Sequence, residues 1–410
     1  MERQTKDLRL AVIGQGYVGL PLAIEFSRVF GTVIGVEIDE VRAELLKSGQ
    51  SFTEDVPESE LQKALESGRL KISTSFESLT SIDVVVICVP TPLTNDGLPD
   101  LSAIDSCIQG MASFLPAGTL VVNESTSYPG TLSGFIAKRF SELRGCDDLL
   151  FASAPERIDP SNGLWGLRNT PRVVAGIDKY STDFVVDVYS AICDKVIAVS
   201  QPEVAETAKL LENTFRQVNI ALINQISEFC SAASIDVFQV IEAASSKPYG
   251  FMPFFPGAGV GGHCIPVDPM YLHWKSAEVG VDLELIAKSQ AINENRPKVI
   301  AQKLKNLISE RDSSILIVGM GYKSGVGDLR HSPAQSVFVE MSKDFDQVKW
   351  FDPRVSDEIT RGRISTIDGF EIYVVFDNVL FESFPGEIYS ASLVLDCSGR
   401  LNRIKSIKVI

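Results

Sequence analysis

The first 130 residues alternate between short apolar runs and stretches of helical spacing. The apolar runs are 8–13, 32–36, 82–89 and 119–123. Continuous runs of this length are typical of strands buried on both faces of a parallel sheet, whereas apolar residues over 20–30 recur at helical intervals. The alternation predicts a doubly wound α/β domain, which we expect to occupy residues 1–200.

Residues 203–233 have one uninterrupted helical period. Its apolar positions include Ala208, Leu211, Phe215, Ile220, Ile223 and Phe229. Because no proline follows Pro202 in this stretch, the spacing predicts a single long helix that connects domains or forms the core of a dimer. Helical spacing over 238–244 and 283–293 predicts two more helices, so we expect a helical domain over 201–300.

A second α/β pattern begins at Ser314. An apolar run over 315–318 leads into Gly319-Met320-Gly321, and a helix is predicted from Ala334. Further strands are predicted at 348–351, 373–376 and 393–395. The predicted fold class is α/β, with a second Rossmann-like doubly wound domain over 301–410 joined to the first by the helical domain. The two ends share too little sequence to be called a repeat.

Composition narrows the classes of function. Hydrophobic residues make up 45% of the 410 residues and charged residues 22%, as in globular proteins. The formal net charge of −15 would repel a phosphate backbone, so we expect no nucleic-acid partner. The N-terminal segment lacks the apolar core of a signal peptide, and no apolar run approaches the roughly 20 residues that span a bilayer. We therefore expect a cytoplasmic protein without a membrane partner.

The seven cysteines are scattered and form no CxxC pair, which favours reduced thiols over disulfides or zinc ligands. The three histidines have no HxH or HxxxH spacing, so no metal site is predicted. We expect Cys146 to be an exposed loop thiol. Five further cysteines are expected to be inert and buried: Cys88, Cys107, Cys193, Cys230 and Cys397.

Gly14, Gly16 and Gly19 form the pattern GxGxxG between a predicted strand and a predicted helix. Glycines there permit a tight turn and let backbone N–H groups approach a pyrophosphate at the helix N-terminus. Glu37 ends the second predicted strand at a spacing suited to a ribose 2′-hydroxyl, and its charge would repel a 2′-phosphate. The pattern predicts an NAD site that disfavours NADP.

Thr91 and Thr126 each lie in a loop that follows an apolar run. Ligands bind at the carboxyl ends of parallel strands in open α/β sheets, so both threonines are candidate cofactor contacts. Each is equally well explained as a turn or helix-capping residue.

Cys264 follows Gly261, Gly262 and His263, and Asp268 lies four residues further on. Glycines leave room for a substrate, and a thiolate is a strong nucleophile, although an unperturbed thiol has a pKa of about 8.5. A nucleophilic thiol together with an NAD site indicates oxidation through a covalent sulfur intermediate. Because adjacent side chains seldom point at the same atom, we expect a structural role for His263.

Two polar pairs have both a chemical and an ordinary interpretation. Glu156 could act as a general base toward water, or it could form an exposed ion pair with Arg157. Lys209 and Asn213 lie four residues apart on one helix face, where they could stabilise an alkoxide or simply face solvent. From the pattern alone, we expect an exposed ion pair and two solvent-facing residues.

Six motifs follow one another along almost the whole chain. They are GxGYVGLPLA at 14–23, VPTP at 89–92, APER at 154–157, KLLENTFR at 209–216, PGxGVGGHCIPVDPxYL at 256–272 and GMGYKSGVGDLRHSP at 319–333. In this order they resemble the UDP-glucose/GDP-mannose dehydrogenase family. The resemblance implies that a nucleotide sugar is oxidised twice at C6, from alcohol to carboxylate, while two NAD⁺ are reduced.

The resemblance also implies roles for five residues. Cys264 matches the nucleophile that forms a thiohemiacetal with the C6 aldehyde and, after the second oxidation, a thioester. Lys209 and Asp268 match residues that assist proton transfer and stabilise oxyanions. Glu156 matches the residue implicated in thioester hydrolysis, and Asn213 matches a polar contact at the reacting centre.

Ligand contacts are implied in the same way. Besides the glycines, Glu37 and the two threonines, the predicted cofactor contacts are Tyr17, Val18 and Arg42. The predicted UDP-sugar contacts are Arg157, Phe254, Gly259, Lys323 and Arg330. Three positions depart from the family pattern: Glu37 replaces an aspartate, Gln225 follows Asn224 where glutamate is common, and 396–400 matches only loosely.

Segments 123–130 and 248–256 resemble the branch that acts on UDP-N-acetylhexosamines. UDP-N-acetylglucosamine is the first choice of substrate, and UDP-N-acetylmannosamine, UDP-N-acetylgalactosamine and UDP-glucose stay open. Two other hypotheses are a two-electron hydroxyacid dehydrogenase with a structural Cys264, and a non-catalytic NAD-binding regulator. The long helix and the resemblance predict a homodimer or a larger homo-oligomer.

Overall fold

The computed structural model describes residues 7–53, 56–158, 164–355, 362–384, 391–398, 401 and 407–409. The chain divides into two compact units. The first comprises residues 1–212 and 274–279, and the second comprises 213–273 and 280–410. Each unit contains a Rossmann-like sheet, and long helices occupy the central region, which confirms the predicted fold class. The three-domain boundaries stay predictions.

The first unit is built on an eight-stranded sheet in the order β3-β2-β1-β4-β5-β6-β7-β8. Its strands are β1 (Arg9–Ile13), β2 (Thr32–Val36), β3 (Leu70–Ser73), β4 (Val84–Ile87), β5 (Leu120–Asn123), β6 (Leu150–Ser153), β7 (Arg172–Gly176) and β8 (Val196–Ala198). β6 and β7 pair antiparallel, and the other neighbours are parallel. The strand order reverses direction between β1 and β4, which is where a doubly wound sheet forms its ligand crevice.

Helices cover both faces of this sheet. They are α1 (Gly19–Val29), α2 (Glu40–Lys47), α3 (Glu58–Glu66), α4 (Ser102–Met111), a π-helix (Leu132–Ala137) continued by α5 (Lys138–Arg144), and α6 (Lys179–Ser190), with a 3₁₀ turn at Phe76–Leu79. Leu10 and Val12 of β1 join the apolar cluster under α1 and α6. Ala11 and Ile13 join the cluster on the other face, under α4. Burial on both faces accounts for the uninterrupted apolar runs.

The central region contains α7 (Pro202–Ala232), α8 (Val237–Ser245), α9 (Asp268–Glu278) and α10 (Glu284–Leu307). α7 is 31 residues long, as the uninterrupted period predicts. The expectation that the helix at 283 ends at Asn293 was wrong. Pro297 lies inside α10, and Arg296, Ile300 and Leu304 are buried around it. Tertiary packing therefore carries the helix past a residue that lacks an N–H donor.

The second unit contains a parallel five-stranded sheet in the order β10-β9-β11-β12-β13. Its strands are β9 (Ile315–Val318), β10 (Val348–Phe351), β11 (Ile372–Val375), β12 (Leu393–Asp396) and β13 (Ile407–Val409). α11 (Pro333–Met341) packs on one face with α10, and α12 (Asn378–Glu382) packs on the other. The loosely matching segment 396–400 includes residues 399 and 400, which lie outside the described residues.

The loops after β1 and β9 have matching backbone geometry despite their different sequences. Gly14 and Gly319 both have φ +88°, and their N–H groups donate to Val36 (2.8 Å) and Phe351 (3.0 Å) in the neighbouring strand. Each tight turn needs a residue without a Cβ, since a left-handed φ strains any other residue. The two units therefore repeat the same loop architecture, although they do not repeat the same sequence.

The second loop is filled by side chains of its own unit. A Cβ on Gly319 would lie 2.5 Å from the Cβ of Asp377. The Arg354 guanidinium donates to Asp352 at 3.0 Å and to Asp377 at 2.5 Å. Asp352 in turn accepts from the N–H of Met320 at 3.0 Å. The position that would face a ribose in a dinucleotide site is here used by an internal ion pair.

Candidate active site

The three glycines after β1 have separate structural reasons. A Cβ on Gly14 would lie 2.5 Å from the Cys88 carbonyl oxygen, and one on Gly19 would lie 1.9 Å from the Gly14 carbonyl oxygen. Gly16, in contrast, has nothing within 4 Å of that position. Two glycines thus allow close packing of turn, strand and helix, and the third leaves open space over the N-terminus of α1. This loop fits the pyrophosphate of a dinucleotide.

Glu37 follows β2 directly, and its carboxylate is fixed by backbone donors. Oε2 accepts from the N–H of Gln15 at 3.2 Å, and Oε1 accepts from the N–H of Asp39 at 3.0 Å. The side chain is buried beside the glycine loop. Its negative charge therefore lies where the sequence places the ribose contact.

Three other predicted cofactor contacts are more exposed than Glu37. Tyr17 and Val18 are half-buried in the loop, and Arg42 is exposed on α2. The Arg42 guanidinium lies 5.3 Å from the centroid of the Phe52 ring and 3.9 Å from Oδ2 of Asp39. Their contact with a cofactor stays a prediction.

The loops carrying Thr91 and Thr126 follow the neighbouring strands β4 and β5. Ser125 ties them together, since its Oγ accepts from the N–H of Val89 at 2.9 Å and donates to the Val89 carbonyl at 2.8 Å. Both threonines are half-buried at this edge of the sheet. The structure brings the two loops together, and the cofactor role of either threonine remains a prediction.

The expectation of an exposed Glu156–Arg157 ion pair was wrong. Glu156 is 9% exposed, and its Oε2 accepts from Nη2 of Arg172 at 2.8 Å. Arg157 instead donates to Glu212 at 2.9 Å. Although burial alone would raise the pKa of Glu156, Arg172 and backbone donors hold that pKa below its usual value.

Arg172 is a site residue that the sequence reasoning missed. It is buried at the start of β7, and it also donates to Oε2 of Glu124 at 3.1 Å. Burial is the main reason that the pKa of Glu124 is raised to about 7. An arginine directly before the apolar run 173–175 was the available signal, because a buried guanidinium needs carboxylate partners.

Lys209 and Asn213 were expected to face solvent, and this was wrong as well. Lys209 is 9% exposed and Asn213 is 6% exposed on α7. The charge of Lys209 helps to lower the pKa of Glu156 within the first unit. In the second unit, Nδ2 of Asn213 donates to Oδ2 of Asp268 at 2.5 Å.

Cys264 lies at the start of the turn that leads into α9. Its carbonyl accepts from the N–H of Val267 at 3.2 Å and from that of Asp268 at 2.8 Å. The turn joins the backbone of the half-buried Cys264 to that of Asp268, whose side chain is buried. A nucleophile, a carboxylate and the amide of Asn213 are therefore assembled from two helices and one turn.

The expectation that the glycine pair leaves room for a substrate was wrong. A Cβ on Gly261 would lie 2.6 Å from the Cβ of Tyr322, and one on Gly262 would lie 2.8 Å from the Tyr322 ring. The N–H of Gly262 also donates to the Arg330 carbonyl at 2.9 Å. The pair thus lets the Cys264 loop pack against the loop after β9. The structural role expected of His263, which is half-buried here, stays a prediction.

The predicted sugar-side residues of the second unit lie around the same loops. Phe254 packs edge-on against Phe215 with 5.7 Å between ring centroids, and Gly259 packs against Pro297. Lys323 is half-buried, whereas Arg330 is exposed and pairs with Asp328 at 2.5 Å. Their role in binding substrate stays a prediction.

One of the three departures from the motif pattern, Glu37, keeps a structural function, and the residue before the second departure does as well. Glu37 is bound as described above, and Asn224 is buried with its Oδ1 accepting from the N–H of Gly257 at 3.0 Å. Arg296 holds the other side of Gly257 through its carbonyl at 2.9 Å. Gln225, the substituted position, is exposed.

The burial or exposure expected of six cysteines is confirmed with one exception. Cys146 is exposed, whereas Cys88 is only half-buried. The buried ones are Cys107, Cys193, Cys230 and Cys397. Across the described ranges, no group of three or more His, Cys, Asp or Glu is arranged to hold a metal ion. Within those same ranges, no helix has the length and apolar character needed to cross a membrane.

Two family models match the chain. The NAD-binding domain of the UDP-glucose/GDP-mannose dehydrogenase family matches residues 8–193, and the central domain of that family matches 203–295. The chain belongs to this family. It is thus an NAD-dependent nucleotide-sugar dehydrogenase, and the two alternative hypotheses from the sequence receive no support.

Individual family members match most of the chain. The UDP-N-acetyl-D-glucosamine 6-dehydrogenase of Pseudomonas aeruginosa is 34% identical, over 86% of this chain and 84% of that protein. The UDP-N-acetyl-D-mannosamine dehydrogenase of Methanocaldococcus jannaschii is 32% identical, over 98% of this chain and 95% of that protein. The solved structure of the UDP-D-ManNAc dehydrogenase from Pyrococcus horikoshii has a TM-score of 0.89 at 29% identity, covering 98% and 99% of the two chains.

Replacing Glu37 by glutamine tests the cofactor side of this dehydrogenase. We expect kcat/KM for NAD⁺ to fall about tenfold, since a charge-assisted hydrogen bond of about 1.5 kcal/mol is lost. Use of NADP⁺ should rise, because the charge that repels the 2′-phosphate is gone. Steady-state kinetics with both cofactors measure the ratio, with the exposed Glu40→Gln as control. An unchanged NAD⁺/NADP⁺ ratio would contradict the assignment of Glu37.

Proposed function

We propose that this enzyme carries out the four-electron oxidation of a UDP-N-acetylhexosamine at C6, with UDP-N-acetylglucosamine as first choice. The observation that carries the proposal is the turn whose backbone joins Cys264 to Asp268, the buried carboxylate that accepts from Asn213. An alcohol-to-aldehyde step needs no thiol. An aldehyde-to-acid step benefits from one, because sulfur addition creates a tetrahedral carbon whose hydrogen can leave as hydride.

The chemistry assigned to the chain has two parts. Bound NAD⁺ supplies the hydride acceptor for each oxidation. In the first part, the C6–OH proton leaves to Asp268, and Lys209 stabilises the alkoxide that forms. In the second part, the Cys264 thiolate adds to the aldehyde carbon, and Asp268 and Asn213 stabilise the oxygen charge around the thiohemiacetal. After the second oxidation, Glu156 takes a proton from the water that hydrolyses the thioester.

Burial supports these roles. Lys209, Asn213, Glu156 and Asp268 are each less than 10% exposed, although all four are polar or charged. Buried polar groups are retained where hydrogen bonds or chemistry compensate for desolvation, and electrostatic effects are strongest in such surroundings. Arg157, Phe254, Gly259, Lys323 and Arg330 are proposed to bind the UDP-sugar.

The N-acetyl group is the best supported feature of the substrate. The relatives named above act on UDP-N-acetyl-D-glucosamine or UDP-N-acetyl-D-mannosamine, and both match at similar identity. The two sugars differ only in configuration at C2. The gluco sugar is our first choice, and the manno, galacto and non-acetylated sugars are its competitors.

We also propose that the enzyme is a homodimer. Phe215, Leu222, Ile226 and Phe229 form a stripe along α7, and each is at least 36% exposed. Such a stripe favours a partner helix. Light scattering should give twice the 44.7 kDa chain mass, and Leu222→Glu should reduce it to one chain. A monomeric wild type would contradict the dimer. A cytoplasmic location stays a prediction from the sequence.

Replacing Cys264 by serine tests the covalent stage. We expect formation of the uronate to fall by roughly 1,000-fold or more, because serine is a much weaker nucleophile at neutral pH. NAD⁺ binding should be retained. Mass spectrometry of the sugar product measures the acid, and the exposed Cys146→Ser is the matched control. Uronate formation at the wild-type rate would rule out the thioester.

A substrate panel tests the sugar. We expect kcat/KM for UDP-N-acetylglucosamine to exceed that for UDP-glucose by about 100-fold or more, because a site that binds the acetamide leaves polar groups unpaired without it. NADH formation is followed for the four UDP-sugars and GDP-mannose. A higher kcat/KM for UDP-N-acetylmannosamine would replace the first choice. Equal values for UDP-glucose would contradict the N-acetylhexosamine proposal.

A further inference from the structure

A buried cluster of charges surrounds Glu156 in the first unit. Arg172 lies between two carboxylates, with Nη2 2.8 Å from Oε2 of Glu156 and Nη1 3.1 Å from Oε2 of Glu124. The side chains of Arg172 and Glu124 are 3% and 0% exposed. One guanidinium therefore serves two carboxylates with almost no help from water.

Tyr189 closes the other end of this cluster. Its hydroxyl donates to Oε1 of Glu124, and its ring lies 5.2 Å from the Arg172 guanidinium carbon. The ring is fully buried and packs edge-on against Phe26. Tyr189, on α6, thus holds Oε1 of Glu124, while Arg172 holds Oε2.

Glu156 has little freedom to move. While Oε2 is held by Arg172, Oε1 accepts from the N–H groups of Arg157 and Ile158, the latter at 2.6 Å. Its own N–H donates to the Glu124 carbonyl at 3.4 Å. The carboxylate is therefore oriented by a side chain and by its own backbone turn.

The positive charges are unevenly placed around the two carboxylates: both carboxylates pair with Arg172, whereas Lys209 acts on Glu156. When both carboxylates are ionised, two negative charges share Arg172, so one proton is easily taken up. The acceptor is Glu124, whose pKa is raised to about 7, first by burial and then by Glu156. Glu156 stays ionised, because Arg172, Ile158 and Lys209 lower its pKa against the effect of burial.

The other titratable groups around Glu124 remain uncharged near neutral pH. Burial raises the pKa of Cys88, next to β4, and that of Tyr189 on α6. Burial likewise raises the pKa of Cys193, which follows α6. The charged groups facing the pair are thus Arg172 from β7 and Lys209 from α7.

We propose that Arg172, Glu124 and Tyr189 are positioning residues for thioester hydrolysis, and that the charge on Glu124 sets the basicity of Glu156 through their shared arginine. The inference rests on the function proposed for Glu156. In that step the water oxygen bonds to the thioester carbon, and the C–S bond breaks with its electron pair going to Sγ. Glu156 takes one water proton and later releases it, the thiolate is protonated from solvent, and the other water proton leaves when the acid ionises.

This coupling predicts how acid release depends on pH. Below pH 7, Glu124 is neutral, Arg172 pairs with Glu156 alone, and Glu156 is a weak base. Above pH 7, Glu124 is negative, and its charge raises the proton affinity of Glu156. The rate of uronate release should therefore rise with pH through a midpoint near 7.

Single-turnover quench experiments from pH 5.5 to 8.5 test the inference, using the best UDP-sugar of the panel. Mass spectrometry measures the acyl-enzyme and the released uronate. Glu124→Gln should abolish the rise and keep the acid-side rate at every pH. Tyr189→Phe keeps the ring but removes a donor that lowers the pKa of Glu124, so the midpoint should move up by roughly half a pH unit or more.

The controls separate this inference from the proposed function. The exposed Tyr180→Phe on α6 should leave the midpoint unchanged. If Glu156→Gln slows acid release, but Tyr189→Phe does not move the midpoint and Glu124→Gln does not abolish the rise, the inference is wrong and the function stands. If Glu156→Gln leaves acid release unchanged, both are wrong. Should Glu124→Gln fail to fold, the midpoint of Tyr189→Phe alone decides.

Discussion

The buried positive charge of Arg172 needs carboxylate partners. This need determines how the first sheet is built where β6 ends and β7 begins. Arg172 begins β7, and β7 is antiparallel to β6, with Ser153 opposite Ala175. If this antiparallel register is extended by three residues, Arg172 lies opposite Glu156. If β7 were parallel to β6, Arg172 would lie at the opposite end of the strands, away from Glu156. Removing one partner of such a buried pair costs about 3–5 kcal/mol, so strand direction and charge pairing depend on each other.

The two Rossmann-like units share the same hydrogen-bonding arrangement at the glycine loop, but this arrangement serves different purposes in the two. In both units, an acidic residue accepts a hydrogen bond from a backbone N–H of the glycine loop. This residue is Glu37 after β2 in the first unit and Asp352 after β10 in the second. In the first unit this leaves open space above Gly16. In the second, Arg354 pairs with the acid and Asp377 closes the loop. Matching folds therefore do not imply two dinucleotide sites.

Local patterns in the sequence predicted the fold class and eight of the strands in the described residues, but neither β6 and β7 nor the buried charges. Apolar runs and the period of α7 predicted the main strands and the long helix, because burial on two faces or one face leaves a periodic signal. The burial of Glu156 and Lys209 has no such signal, since it depends on partners distant along the chain. Likewise, Gly261 and Gly262 suggested an open pocket, whereas Tyr322, some 60 residues later, fills that space. Membership of a family supplied the chemistry that spacing could not.

We propose that this enzyme performs both oxidations before it releases product. The most direct measurement is the number of NADH molecules formed per UDP-N-acetylglucosamine consumed, followed at 340 nm with limiting sugar and excess NAD⁺. We expect two NADH per sugar, with the uronate as the sole product and no free aldehyde. One NADH per sugar, with the aldehyde accumulating, would contradict it.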